Sequence, residues 1–427
     1  MKFKFKAITV GCIAAMGMAS ASAVEVAGAN LEIYGTLYPQ YQTTDQVNPT
    51  PTGGNVSNMS SASSTGTAAA APKVAVRKNQ LNWVNSYIGF KGSKMFGETK
   101  VSFDLQGTLN KNVDSTAGVN TNNALMSDTR DAFIALENKN YGRLALGQMD
   151  TIYKEYGDRV RMLGISSSNF VSTSGIVSGV SWKPATTGNG VTVTNTTAAG
   201  TSSFNTRIGG QLRYETPVWN GVQAGFSYRP DANATATQNQ TLTGWAVRWT
   251  DGKYYAALAN EVHNDFRVFS GTNTAVGATS LFSLAPRSKD TATRLSVGYT
   301  EGALQLAADV SNLNYTEAGD AGPKFARYAT SAWQVSADYA LSAQWNIAAN
   351  YAVGAAGTCY LVNAAACSTD GLGGSLVSLG GKYNYDKNIS IYGIYGSNKN
   401  NSGSYFGSPT NPGASVTNLA VGVLIKF

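Results

Sequence analysis

The chain has 427 residues, of which 13% are charged, with 46 glycines and 22 tyrosines. Typical soluble domains carry about 25% charged residues, so this composition argues against a soluble enzyme and for strands showing one face to an apolar medium and the other to water. The formal charge of +7 falls to +4 if Lys2, Lys4 and Lys6 leave with a leader, an excess too small to argue for a nucleic-acid partner.

The leader comes first in the chain. "MKFKFK" is a basic start, "AITVGCIAAMGMA" is an apolar run too short to span a bilayer, and Ala21-Ser22-Ala23 has the small-x-small pattern of a signal-peptidase site. Residues 1–23 are therefore expected to be a signal peptide and 24–427 the mature protein. Acylation of Cys12 is the rival, but only five residues separate Cys12 from Lys6, fewer than an apolar region of about 7–15 needs. Export implies an oxidising compartment, so Cys359 and Cys367 in "CYLVNAAACSTDG" are expected to form a disulfide. A link of that loop length contributes about 2–3 kcal/mol on loop-entropy grounds. No mature stretch approaches the roughly 18 apolar residues of a transmembrane helix.

Period-two alternation recurs downstream. In "KVSFDLQGTLN", Val101, Phe103, Leu105 and Leu109 oppose Ser102, Asp104, Gln106, Thr108 and Asn110. In "WQVSADYAL", Trp333, Val335, Ala337, Tyr339 and Leu341 oppose Gln334, Ser336, Asp338 and Ala340. "WNIAANYAV" repeats the pattern. Such stretches are strands with one apolar face. A soluble sandwich alternates too, but three features favour a barrel in a membrane. The polar faces are rich in Asn, Gln, Ser, Gly and single charges. Short connections ("SKMFGE", "NKNYG", "TPVWNG", "TDGK", "TEG", "LSAQ", "YDKN") alternate with long ones near 43–79, 111–127, 149–205, 230–241, 263–290, 315–330, 354–374 and 397–414. Aromatic pairs such as Trp249 and Tyr254, Tyr339 and Trp345, and Tyr383 and Tyr385 flank the short turns, as in an interfacial girdle. Seven short turns and eight long loops predict an all-β fold, a 16-stranded antiparallel transmembrane β-barrel with short periplasmic turns and long external loops. An even count closes the sheet without an edge, and sixteen strands leave an aqueous channel. The last strand, "NLAVGVLIKF", then closes against the first, "LEIYGTLYPQYQ", with Phe427 at the periplasmic rim.

The chain resembles the Gram-negative general diffusion porins over its whole length. The matching stretches are "LEIYGTL", "SYIGFKG", "DTRDAFIALENKNYGRLALGQ", "RIGGQLRYETPVWNGV" and the terminal "VGVLIKF". The resemblance implies an outer-membrane channel of a Gram-negative bacterium for passive diffusion of small hydrophilic solutes and ions. It also implies a homotrimer in contact with outer-membrane lipid and lipopolysaccharide. Phe427 would be the signal read by the barrel-assembly machinery, and the third external loop, about 150–205, would fold into the lumen.

That loop begins "MDTIYKEYGDRVRML" and carries Asp150, Lys154, Glu155, Asp158, Arg159 and Arg161; its second half, near 180–200, is Ser/Thr/Gly-rich and reads as a surface excursion. Strand parity turns Arg143, Arg207 and Arg213 inward, and the resemblance places Arg130 inside, so that Arg130 and Arg207 stand at two positions of the family's arginine ladder. The chain departs from the family pattern at Tyr87 and Thr36, where basic residues are usual, and Glu155 and Asp158 stand in for an acidic loop tip. A pore constriction is thus expected from Arg130, Arg207, Arg143, Arg213, Tyr87, Lys91, Asp104, Asp150, Glu155, Asp158 and Arg159. Two unit charges about 8 Å apart at an effective dielectric of about 20 interact by roughly 2 kcal/mol before screening. Each imbalance therefore biases passage without blocking the wrong sign. Counting Arg130, Arg143, Arg207, Arg213 and Lys91 against Asp104 predicts a mild anion preference.

Three other classes compete. A substrate-specific channel for sugars or carboxylates would line its lumen with an aromatic slide, for which Tyr34, Tyr38 and Tyr87 are the candidates. A surface adhesin would use "SNMSSASSTGTAAAAP" as a stalk. A barrel hydrolase would need a positioned histidine base, and the chain has one histidine, His263, without a nucleophile motif. One histidine and two mature cysteines make no convincing metal site, and no cofactor is expected.

Overall fold

The computed structural model describes residues 24–26, 28–51, 55–57, 65–67, 77–83, 85–109, 129–159, 162–165, 174–179, 181, 204–234, 239–266, 287–318, 325–361, 368–407 and 411–427. The expected signal peptide, Arg161, Cys367 and most of the Ser/Thr/Gly-rich excursion lie outside these residues.

Sixteen antiparallel barrel strands are counted among the described residues. The first two bend partway: β1 runs Ala29–Leu37 and Pro39–Val47, and β2 runs Lys78–Trp83 and Tyr87–Phe96. Then follow β3 (Thr99–Thr108), β4 (Thr129–Asn138), β5 (Gly142–Asp150), β6 (Arg207–Glu215), β7 (Val222–Arg229) and β8 (Thr241–Thr250). The second half comprises β9 (Tyr254–Asn264), β10 (Arg287–Glu301), β11 (Leu304–Ala318) and β12 (Phe325–Ala340). It ends with β13 (Trp345–Gly354), β14 (Gly374–Asn384), β15 (Ile389–Asn400) and β16 (Ser415–Lys426). Each strand pairs with its successor, and β16 returns to β1 through Gly422↔Gln40 in the upper half and Thr36↔Lys426 in the lower. The closure matches the expected strand count and turn positions. It satisfies the backbone groups that an open edge would leave bare in lipid.

At the seam, Gly35 N–H donates to the Phe427 carbonyl at 3.0 Å and Phe427 N–H to the Gly35 carbonyl at 3.2 Å. A Cβ on Gly35 would come within 2.6 Å of both the Phe427 ring and the Tyr87 carbonyl, so this close approach requires glycine. A short strand, Val24–Val26, pairs with Ala29–Leu31 beyond that point.

The apolar sides of the strands face outward. Ile33, Phe90, Leu105, Ile134, Leu146, Leu258, Leu295, Val310, Val335, Leu379 and Val421 are all exposed, as are Trp249, Tyr254, Tyr339, Trp345 and Tyr385 beside the short turns. That is the distribution a lipid-facing band with an interfacial girdle needs. Among the described residues no helix is long and apolar enough to cross a membrane.

The segment after β5 lies inside the barrel. It contains α1 (Ile152–Gly157), a 3-10 turn at Met162–Gly164 and α2 (Ser174–Val177). Thr151 caps α1 by accepting from Lys154 N–H. Ile152, Tyr153 and Tyr156 are buried against small inward residues of β8 to β10, namely Ala246, Ala257, Ala259 and Ala292. Space for the helix is made by Gly225, where a Cβ would lie 2.4 Å from Ile152 Cδ1. Met162 and Leu163 pack with Tyr38, Ala348, Tyr392 and Ile394, and Ile176 and Val177 with Ala332, Ala352, Leu376 and Phe406. The interior is thus a loop glued to one side of a barrel by three small apolar clusters. Cys359, beside the first cluster, is disulfide-bonded.

Candidate pore site

The wall left uncovered by the loop is built by β1 to β3. Alternation points Ile33, Phe90 and Leu105 outward, so Glu32, Tyr34, Tyr87, Lys91, Asp104 and Gln106 point in. Lys91 Nζ pairs with Glu32 at 2.9 Å and sits 4.5 Å above the Tyr34 ring. Tyr34 O–H donates to Asp104 at 2.5 Å and accepts from Gln106 at 2.7 Å. Tyr87 meets Tyr34 edge-on at 6.0 Å.

On β4 the alternation is interrupted for a structural reason. Leu105 pairs with Ala132 but Gly107 pairs with Thr129, so Arg130 and Asp131 together oppose the single residue Gln106. This is a β-bulge, which re-aims the side chains it carries. The Arg130 guanidinium lies 4.9 Å over the Tyr87 ring, while Asp131 takes Arg207 at 2.7 Å. That second contact is an ion pair without an aligned hydrogen bond. Arg207 also reaches Asp150 at 3.3 Å, and Asp150 holds Lys154 at 3.0 Å. Nearer the short turns, Glu215 receives both Arg143 at 3.0 Å and Arg213 at 2.9 Å. Arg213 additionally donates to the Asp150 carbonyl at 3.0 Å and lies 3.9 Å from Glu155.

The covered wall, β6 to β15, holds the loop by polar contacts as well. Arg294 bridges Asp309 at 2.8 Å and Asp158 at 3.8 Å. Ser296 donates to the Gly157 carbonyl at 2.7 Å, and Tyr255 donates to the Tyr156 carbonyl at 2.6 Å. Tyr156 O–H donates to Glu215 at 3.2 Å. Burial pushes the Tyr153 and Tyr156 phenols above the usual tyrosine range. Leu163 has φ +56°, a strained choice for a branched residue. It is held from both sides: its N–H donates to Asp338 at 2.8 Å and its carbonyl accepts from Lys382 at 2.7 Å.

Two further arginines stand on tyrosines. Arg248 lies 4.4 Å over the Tyr156 ring and Arg159 lies 4.1 Å over the Tyr255 ring. Among the described residues, Arg130, Arg159 and Arg248 make no ion pair. Arg130 rests on the Tyr87 ring, Arg159 on the Tyr255 ring and Arg248 on the Tyr156 ring, and Arg248 also reaches the Gln223 amide and the Tyr255 side chain.

The expected constriction residues therefore divide. Arg143 and Arg213 share Glu215, Arg207 pairs with Asp131 and Asp150, and Lys91 pairs with Glu32. The sequence count of five cations against Asp104 is corrected by Glu32, Asp131 and Glu215. Parity would have found Glu32 and Glu215, which share strand faces with Tyr34 and Arg213; the bulge hides Asp131. Arg248 also went unnoticed, although it is two residues from outward Trp249's neighbour Thr250 on the inner face of β8 and alternates with outward Val247 and Trp249. Asp158 lies at Arg294, away from the tip role expected of it, whereas Glu155 remains exposed. Among the described residues no cluster of His, Cys, Asp and Glu has a metal-binding arrangement.

A family model described as Gram-negative porin matches residues 9–403. Solved structures match at low identity. An anion-selective porin from Comamonas acidovorans has a TM-score of 0.63 at 16% identity, covering 93% of this chain and 100% of that one. The trimer form of OmpT, an outer-membrane protein of Vibrio cholerae, has a TM-score of 0.58 at 14% identity, covering 94% and 100%. Salmonella typhi OmpF, in complex with daunomycin, has a TM-score of 0.57 at 15% identity, covering 94% and 98%. No match was found among curated proteins.

Proposed function

The chain belongs to the Gram-negative porin family, and from that premise we propose how its channel sorts solutes. It is an outer-membrane channel for passive diffusion. Its selectivity is a mild preference for anions, set by Arg130, Arg159 and Arg248. The observation carrying this reading is that these three cations rest on tyrosine faces and form no ion pair among the described residues. A guanidinium stacked on a ring keeps its charge without a counter-ion, so its field and any uncommitted N–H group act on a passing anion. The opposing carboxylates are more engaged. Asp104 is bound by Tyr34 and Gln106, Asp338 by Leu163, and Glu155 stands beside Arg213. The similarity to an anion-selective porin supports the sign.

Planar-bilayer recording under a KCl gradient tests it. The reversal potential lies on the anion side for this reading, and a cation-side value overturns the assignment while leaving the channel intact. Conductance steps in threes test the homotrimer, which the trimeric OmpT form supports by similarity. The signal peptide at 1–23, the Cys359–Cys367 pairing, the lipid and lipopolysaccharide contacts and the assembly role of Phe427 belong to the same proposal. N-terminal sequencing of the exported protein checks the first, and thiol alkylation without reductant checks the second.

A further inference from the structure

A cleft opens on the short-turn side of the lumenal loop, between Arg159 and the inner faces of β9 to β12. Its floor is a row of registered neighbours, Tyr255↔Gly298, Gly298↔Ala307 and Ala307↔Ser336. The next row is Thr300↔Gln305 and Gln305↔Asp338. All are inward by parity, since Tyr254, Leu306, Val297 and Val335 are the exposed outer residues. Gly298 and Ala307 leave the middle of the row empty, so a solute can lie against the wall. Adjacent strands are about 4.8 Å apart, so three spacings give a polar track of about 14 Å at the backbone, shortened inside by the curvature of the wall.

The chemistry along the track is graded. At one end Arg159 is exposed and fixed on the Tyr255 ring at 4.1 Å, without a carboxylate partner among the described residues. In the middle, the Thr300, Gln305 and Ser336 side chains make no hydrogen bond among the described residues, leaving two hydroxyls and an amide as both donors and acceptors. At the far end Asp338 already takes the Leu163 N–H, and Lys382 binds the carbonyl of the same residue. Its remaining lone pairs suit a hydroxyl donor, while a free ammonium would compete with Lys382. A held cation, neutral donor–acceptor groups and a terminal acceptor complement a carboxylate carrying a hydroxylated tail.

We propose that this cleft is a binding subsite for small sugar acids, with Arg159 taking the carboxylate and Thr300, Gln305, Ser336 and Asp338 taking the hydroxyls. The proposal rests on the channel reading above. Sodium gluconate is the probe, with sodium acetate and sorbitol as the charge-only and hydroxyl-only controls, in single-channel current-noise recordings. Gluconate is expected to give saturable current fluctuations, with faster onset from the side bearing the short turns. Acetate and sorbitol should bind at least about tenfold more weakly, because each lacks one set of charge-assisted or neutral hydrogen bonds. Arg159→Gln should weaken gluconate about tenfold, and the pair Gln305→Ala with Ser336→Ala, which leaves the loop untouched, about fivefold. Gluconate noise equal to that of acetate at matched ionic strength, or block that survives both variants, overturns the subsite. The KCl reversal potential measured in the same membranes separates the readings. Anion preference without gluconate block removes the subsite alone, and gluconate block with a cation-side reversal removes the selectivity assignment alone.

Discussion

The walls at β1 to β3 and at β9 to β12 arise from the same period-two pattern yet end with different inner faces. On the first, Glu32 and Lys91 pair with side chains 34% and 44% exposed; on the second, Arg294 and Asp309 pair with neither side chain exposed. Gln334, Ser296, Ser311, Glu261 and His263 are buried there too. The barrel buries neither wall by itself. The lumenal loop does so by lying on one of them, and only beneath it does an unmet polar group cost its full desolvation. The open wall is wet, and its pairs are worth what surface pairs are worth.

Deleting one cation from each wall should separate the two most strongly. Arg294→Ala leaves Asp309 buried without its cationic partner and should cost about 3–5 kcal/mol, read as a lower heat-modification temperature, a protease-sensitive loop and raised conductance. Lys91→Ala should cost about 1 kcal/mol or less and leave conductance near wild type; equal losses in the two variants refute the contrast. Next in size is Gly225→Val, which drives a side chain into Ile152 and should cost about 1–3 kcal/mol in the same thermal assay without altering the open wall. Smaller again are charge effects on selectivity. Arg130→Gln and Arg248→Gln should each lower the anion-to-cation permeability ratio about twofold to threefold at moderate salt. Arg143→Gln, whose charge Glu215 already offsets, should change it less. The smallest effect is that of pH on loop anchoring. The Tyr153 and Tyr156 phenols are pushed up by burial, so the neutral form is the one the fold favours. Their contribution is complete below the unfolded value of about 10 and is lost as pH rises toward the higher folded values. Protease resistance of the loop should be insensitive to these phenols at neutral pH and fall only in strong alkali, with Tyr156→Phe blunting that fall.

The barrel was legible in the sequence because alternation, turn length and girdle aromatics are local properties of each strand. Sixteen strands, their turns and the β1–β16 closure followed from them. The inward direction of Tyr87, Lys91, Asp104, Arg143 and Arg213 followed too, since parity is a one-dimensional rule. The pairing of those residues was not legible. Whether Arg207 is free or neutralised depends on Asp131, which reaches the lumen only because a bulge places it beside Arg130. Likewise Asp158 read as a loop-tip carboxylate, but the wall beneath it offers Arg294 from a strand more than a hundred positions along the chain. Such contacts are set by how a loop lies on a closed surface, and no periodicity records that.

The small inward residues have a consequence for exchange between channels. Gly225 admits Ile152, and Gly380 admits Met162 and Leu163, where added Cβ atoms would approach to 2.4 Å and 2.7 Å. The lumenal segment and the surface it rests on therefore form a matched lock and key within one polypeptide. A graft of this segment into another barrel would have to carry its sockets with it, and a chimera that transplants only the segment would have nowhere to seat it.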